Sequence, residues 1–273
     1  MKEKISLAGD LGSGKSTVSA ILVDRLGAKY YSTGAIVRDI AKRRGMSVVE
    51  LNVYMETHPE IDHEIDDGLV RLGAAPERLI IDSRMAWHFT PDTFKVYLST
   101  DIETSAMRIL GANRKEEMAE SLEETVKNTR LRVESEKKRY LEQYGVHIKD
   151  LTNYSLIVDT TYATPETVAD AICRGFESWC KSPDYKCALI SPERLNYVDD
   201  APDADAVGAL AARLELGDSI PEVTVFEEGG EFYVAEGLES ALAYAFAMLD
   251  FVPCRLVRGS AGGKKYVKMS NSL

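Results

Sequence analysis

Short apolar runs alternate along the chain with longer stretches of helical spacing. Residues 4–8 (Lys-Ile-Ser-Leu-Ala) form a β-like run that leads into a Gly-rich turn. From Lys15 to Leu26 the apolar positions Val18, Ile21, Leu22 and Leu26 fall on one stripe, the period of an amphipathic helix. Leu79-Ile80-Ile81 is a second apolar run, ending at Asp82, and Phe94 to Leu98 and Leu156-Ile157-Val158 are two more. Charged, helical stretches over 34–57, 102–112 and 116–143 lie between them, and a helix from Pro165 to Cys180 follows, with Pro165 suited to its first turn. Strands separated by helices predict parallel pairing through crossovers, hence an α/β fold with a central parallel sheet.

The pattern changes after Ser182-Pro183-Asp184, a polar segment that cannot continue the preceding helix. Cys187 to Ile190 is β-like, a helix is expected near 203–216, and Glu222–Phe226 and Phe232–Ala235 flank Glu-Glu-Gly-Gly-Glu as a hairpin would. A helix at about 237–249 and a strand at 252–257 complete a small α+β unit. Two domains are therefore expected, residues 1–180 and 187–273.

The turn after the first strand reads Gly9-Asp10-Leu11-Gly12-Ser13-Gly14-Lys15-Ser16, which fits G-x4-G-K-[ST] in the strand–turn–helix setting the motif needs. Glycines let the backbone curl so that successive N–H groups point at a phosphate, and the dipole of the following helix adds to them. Lys15 is placed to bridge β- and γ-phosphates, and the Ser16 hydroxyl to ligate Mg²⁺. Gly9, Gly12, Ser13, Gly14, Lys15, Ser16 and Thr17 are thus the expected ATP-binding residues. The fold class that follows is a three-layer P-loop NTPase fold with a small α+β domain appended.

Bulk properties narrow the partners. A formal charge of −11 opposes non-specific attraction to nucleic acid, so a phosphate ligand must be met by a local cluster of cations. No apolar run approaches the length needed to span a bilayer, and the first residues lack the apolar stretch of a signal peptide, so a cytoplasmic protein is expected. Cys173, Cys180 and Cys187 are seven apart, outside the usual spacing of zinc pairs, and with Cys254 are read as buried or inert thiols.

The chain lacks an Asn-Lys-x-Asp base-recognition motif and a long apolar strand ending in Asp-Glu, so neither a GTPase nor an ATPase motor is indicated. It carries scattered arginines instead. Arg38 lies one turn into a helix after Ser32-Thr33-Gly34, and Arg84 lies just past a strand's carboxyl end, where open α/β sheets bind ligands. Arg108 and Arg114 lie in and just after one helix. Arg132, Glu136 and Arg139 share a face of another, with Glu136 placed to brace both guanidinium groups. A solvated ion-paired face is the competing account of those three.

These stretches, together with Gly45-Met46-Ser47, Pro59-Glu60-Ile61-Asp62, Asp82–Trp87 and Tyr154–Thr161, resemble the cytidylate kinases, especially their compact archaeal-type branch. The resemblance covers residues 4–172 in order and spacing. It implies that Thr33 and Arg38 hold an acceptor nucleotide, with Arg84 on its phosphate. It implies that Arg108 belongs to a helical lid over about 103–145, and that Arg132 and Arg139 contact the phosphates in flight. Glu136 stands where the family has an acidic residue that helps read the pyrimidine or orients these arginines.

The chain departs from the family at Ser83, usually Gly, and at Met85, acidic in bacterial members. His88 and Phe89 replace smaller residues, and Asp10 adds negative charge to the phosphate loop. Residues 187–257 resemble the ParB/sulfiredoxin-like fold more weakly, through Ile190–Leu195, Ile220–Val225, Tyr233–Gly237 and Val252–Leu256. Glu239 stands near the start of the helix where that fold binds phosphate and would repel it, so the module is expected to be non-catalytic, serving binding, regulation or oligomerisation.

The expected reaction is ATP-dependent, Mg²⁺-assisted phosphoryl transfer to a nucleoside 5′-monophosphate, CMP or dCMP. Lys15, Arg108, Arg132 and Arg139 are its catalytic residues, and Thr33, Arg38, Arg84 and Glu136 bind the acceptor. Two rivals stay open: another small-molecule P-loop kinase, and a nucleotide-binding regulator with little turnover, for which Asp10, Ser83 and Met85 are the support.

Overall fold

A computed structural model describes residues 4–112 and 121–271. Its first half alternates strands and helices: β1 (Lys4–Gly9), α1 (Lys15–Leu26), β2 (Lys29–Ser32), α2 (Thr33–Arg44), α3 (Val48–Met55), α4 (Glu60–Ala74), β3 (Leu79–Asp82), α5 (Ala86–Phe89), β4 (Phe94–Ser99), α6 (Ile102–Gly111), α7 (Leu122–Tyr144), β5 (Leu156–Asp159) and α8 (Pro165–Lys181). Strands β5-β4-β1-β3-β2 lie side by side in that order, all parallel. Parallel pairing brings the carboxyl ends of every strand to one edge, and the site is built there.

Alternation along the strands decides the three layers. Ile5, Leu7, Val96, Leu98, Leu156 and Val158 pack under α1 and α8, against Val18, Leu22, Ile172 and Phe176. Ala8, Tyr97 and Ile157 face the opposite layer, with Leu69 of α4, Trp87 of α5 and Val146, Ile148 and Leu151. A third, smaller core joins α2, α3 and α4 through Ala41, Leu51, Met55, Ile61 and Ile65.

The stretch 34–57 is two helices rather than one, because Gly45 takes a left-handed φ of 68° and closes α2, while the Ser47–Glu50 capping box starts α3. Helix α4 lay outside the expected elements, although Ile61, Ile65 and Leu69 mark its apolar stripe; acidic residues between them hide the period. Arg114 lies outside the described residues.

Residues 182–186 connect α8 to the second half: β6 (Cys187–Ile190), β7 (Leu195–Val198), α9 (Ala204–Glu215), β8 (Val223–Glu228), β9 (Glu231–Glu236), α10 (Leu238–Phe246), β10 (Val252–Leu256) and β11 (Tyr266–Lys268). The expected hairpin is β8–β9; β7 and β11 were not foreseen. Strand β6 pairs parallel with β5, so the sheet runs unbroken through eleven strands. The core is equally continuous, with Ala188, Val225, Phe232 and Val252 in the same cluster as Tyr97 and Ile157. Of the four thiols, Cys254 is buried and Cys180 exposed.

Candidate active site

A cavity of about 420 Å³ opens at the carboxyl edge of the parallel strands. The loop after β1 forms its floor through Gly12, Ser13, Gly14, Lys15, Ser16 and Thr17. Thr33 and Arg38 enter from α2, Arg84 from the turn after β3, Arg108 from α6, and Arg132, Glu136 and Arg139 from α7. Of the residues expected to handle nucleotides, Gly9 alone lies off this wall. A Cβ at Gly9 would stand 2.4 Å from the Leu98 carbonyl oxygen, so its part is to let β1 and the loop pass β4 closely. Gly12, with φ of 69° and the Ser105 carbonyl 2.5 Å from a Cβ, is constrained in both conformation and space.

Helix α1 opens without a side-chain cap. Its N-cap is Gly14 at φ 81°, whereas Ser32, Ser47, Asp101, Ser121 and Thr164 cap α2, α3, α6, α7 and α8 with side-chain oxygens. The first-turn N–H groups of α1, on the cavity floor, are left to an external acceptor, and the helix dipole favours an anion there. Lys15 folds back over this loop, donating to the carbonyls of Gly9 (3.0 Å) and Asp10 (2.7 Å) and to Ser13 Oγ (3.3 Å). Burial, with the Arg84 charge added, lowers its ammonium to about 7, so an anionic phosphate entering beside it would restore its full charge.

Glu136 bridges Arg84 and Arg132: Arg84 Nε donates to one carboxylate oxygen at 2.8 Å and Arg132 Nε to the other at 3.1 Å. This differs from the expected brace between Arg132 and Arg139, because Arg84, 52 residues away in sequence, comes within reach. Burial would raise the Glu136 carboxyl, but Arg84 and Arg132 outweigh it and hold it at about 2. Side-chain exposures of 6% for Glu136 and 13% for Arg132 exclude the solvated-face account of this pair. Arg139 goes elsewhere: its Nε lies 3.0 Å from Asp62 Oδ2, off the line of a hydrogen bond, and its Nη atoms reach the Asn52 carbonyl and amide oxygens at 3.3 Å.

Asn52, Asp62, Asp66 and Tyr140 also line the cavity and were not singled out from sequence. Burial raises both carboxyls, that of Asp66 to about 6 despite a hydrogen bond from Tyr144. The signal that could have found them is an i, i+4 pair of acids flanking the apolar stripe of α4. Asp62 and Asp66 are both buried on that helix, which a solvated face would not require.

Asp10 does not burden the phosphate loop in the way its position suggests. It lines a small neighbouring cavity, where its carboxylate accepts from Tyr97 Oη (2.7 Å) and Thr100 N–H (3.0 Å) and pairs with Lys149. Burial works against its charge, but Lys149 and these hydrogen bonds more than offset that and lower its pKa. Met85 is likewise core, 1% exposed, while Ser83 lines the large cavity and accepts a hydrogen bond from Met85 N–H. His88 packs edge-on against Trp87 and Phe89, and Phe89 meets Tyr144, whose hydroxyl donates to Asp66 on the cavity wall.

Loop, uncapped helix and converging cations define the class: a P-loop phosphotransferase fold. Residues 5–128 match the family model described as an AAA domain. The cytidylate kinase of Thermoplasma volcanium is 35% identical over 186 residues, covering 67% of this chain and 95% of that protein. That of Sulfolobus acidocaldarius is 37% identical (62% and 91%), and that of Pyrococcus abyssi 39% (60% and 88%). The chain belongs to the cytidylate kinase family. Among the described residues no helix is long and apolar enough to cross a membrane.

Proposed function

We propose that the protein transfers the γ-phosphoryl group of ATP to the 5′-phosphate of CMP or dCMP. The observation that carries this reading is the convergence of Lys15, Arg38, Arg84, Arg108, Arg132 and Arg139 on one cavity above an uncapped phosphate loop, in a chain of net charge −11. Such a concentration of cations answers the charge of two nucleotides meeting at their phosphates.

In this reading the triphosphate lies on the loop and the acceptor lies towards Thr33, Arg38 and Arg84. Asn52, Asp62 and Asp66 offer a mixed set of donors and acceptors to its base. An acceptor phosphate oxygen attacks the γ-phosphorus, the bond from that phosphorus to the bridging β-oxygen breaks, and ADP and a nucleoside diphosphate result. The attacking oxygen is already anionic near neutral pH, so no general base is required. Lys15 and Arg132 stabilise the charge on the phosphoryl group in transit, Arg108 closes the lid side, and Arg139, held by Asp62 and Asn52, stands at the acceptor end. The Ser16 hydroxyl and Asp82 carboxylate, both hard oxygen donors on the cavity wall, suit Mg²⁺ held chiefly by phosphates and water. The ion supplies neutralisation of the leaving phosphates. The non-catalytic character of residues 187–273 belongs to the same proposal, with Glu239 in the first turn of α10 as support. Oligomerisation through that module is supported by exposed Leu216, Phe246 and Met248 and is tested by sedimentation of the full chain.

A coupled ADP-release assay with ATP, Mg²⁺ and a panel of CMP, dCMP, UMP and AMP tests the reaction. ADP release dependent on CMP or dCMP is expected. Release with none of the four, alongside thermal stabilisation by ATP alone, would overturn it in favour of a different acceptor or a regulator.

A further inference from the structure

The second half of the chain meets the strand end behind the cavity wall at Ser191, whose N–H reaches Asp159, three residues before a buried arginine. Arg194, 2% exposed, sits in a short 3₁₀ turn after β6 and donates through Nη2 to the Gly230 carbonyl at 2.7 Å. Its Nε and Nη1 have no hydrogen-bond partner among the described residues, so the guanidinium is far from satisfied by its own module. Burying a charge in this way is costly unless opposite charge lies close.

Two carboxylates of the other half feel its charge through space, without an ion-pair contact. Asp159, fully buried at the end of β5, accepts from Thr161 N–H (3.2 Å), Thr161 Oγ1 (2.6 Å) and the N–H of Ser191 (3.3 Å), and Ser191 is three residues before Arg194. Asp101 caps α6 with Oδ1, accepting from Glu103 and Thr104 N–H at 2.9 Å, while its Oδ2 is buried without a hydrogen-bond partner. The two meet at Thr161, whose Oγ1 also accepts from Asp101 N–H at 3.2 Å. The Arg194 charge acts on both carboxyls, counteracting burial at each.

Thr160 and Arg108 form the cavity wall directly beyond this junction. Arg108 donates to the carbonyls of Thr160 (2.7 Å) and Thr161 (3.2 Å), and Asp101 and Asp159 act on it as well. The junction is therefore two carboxylates within the field of two guanidinium groups, one buried and one on the cavity wall.

We propose that Arg194 is a positioning residue for the donor-nucleotide end of the site. It neutralises Asp159 and Asp101 and so leaves Arg108 and the Thr160–Thr161 turn arranged for ATP. The proposal rests on the reading of the loop side as the donor end. Without Arg194, two carboxylates face a single cation, and Arg108 is drawn off its carbonyls towards them.

The test compares steady-state constants and the affinity for a non-hydrolysable ATP analogue in the parent, R194M, R194K and D101N/R194M. R194M is expected to raise KM for ATP and the analogue Kd by on the order of tenfold, with KM for CMP within about twofold. R194K keeps the cation and should stay near the parent. D101N/R194M restores the balance of charges, and Asn still caps α6, so it should recover most of the loss. Unchanged ATP affinity in R194M, a parallel rise in both KM values, or a double variant no better than R194M would overturn the proposal. If R194M does not fold, the double variant decides alone: parent-like ATP affinity upholds the proposal and tenfold-weaker affinity overturns it. Analogue binding is read independently of turnover, so a failure of the phosphoryl-transfer reading is seen separately in the parent.

Discussion

Glu136→Gln removes one charge from the centre of the site while keeping the side chain's shape. In the parent, Arg84 and Arg132 hold the carboxyl at about 2 against an ordinary 4.5, which corresponds to about 3 kcal/mol in favour of the ionised form. With the side chain 6% exposed, solvent screens little of this, and about 3–5 kcal/mol is the usual cost of breaking one partner of a buried pair. For a chain of 273 residues, 3 kcal/mol lowers Tm by roughly 6–12 °C. Thermal unfolding of parent and variant at pH 7 measures it. The pH dependence has a definite sign. The folded carboxyl titrates below the unfolded one, so its contribution is complete above about 4.5 and is lost as pH falls towards 2. The difference between parent and E136Q should therefore close over that window. It should also narrow at pH 7 when ATP and CMP are added, because their phosphates then answer the two guanidinium groups. A variant melting within about 2 °C of the parent at pH 7 would refute the reasoning, as would a gap that stays constant down to pH 3.

Arg84→Ala should raise KM for the acceptor by on the order of tenfold and KM for ATP much less; equal changes would detach Arg84 from the acceptor end. Lys15→Ala should cut turnover by about 10²–10³ or more while the protein melts within a few degrees of the parent, read by the ADP-release assay. Lys149→Met leaves Asp10 buried without its cation, at a cost of about 1–2 kcal/mol because Lys149 is itself part-exposed. Asp10→Asn in the same chain should recover that stability in urea denaturation, and a double variant no more stable than K149M would show that the pair is not the cause.

The phosphate loop was legible because it is local. A run of eight residues determines its own backbone shape, and the strand before it and helix after it announce themselves by period. The arginines were legible as a set but not as pairs. Glu136 and Arg132 are one helical turn apart and could be joined on paper, whereas Arg84 reaches Glu136 from 52 positions away. Asp62 and Asp66 looked like ordinary surface acids because burial is a property of neighbours, and those neighbours come from α7.

Asp10 shows the division most plainly. From sequence alone its charge stands in a loop that receives phosphates. In the fold, Lys149, 139 positions away, pairs with that charge, and Asp10 lines a neighbouring cavity rather than the large one. The same holds for the pairing of β5 with β6, which makes one sheet of two expected units, and for the Ser191 N–H that reaches Asp159. Backbone conformation, helix period and the chemistry of a contiguous motif are short-range and were determined by the sequence itself. Which charge neutralises which depends on distances of a few ångströms between residues far apart in the chain, and those distances exist only once the chain has folded.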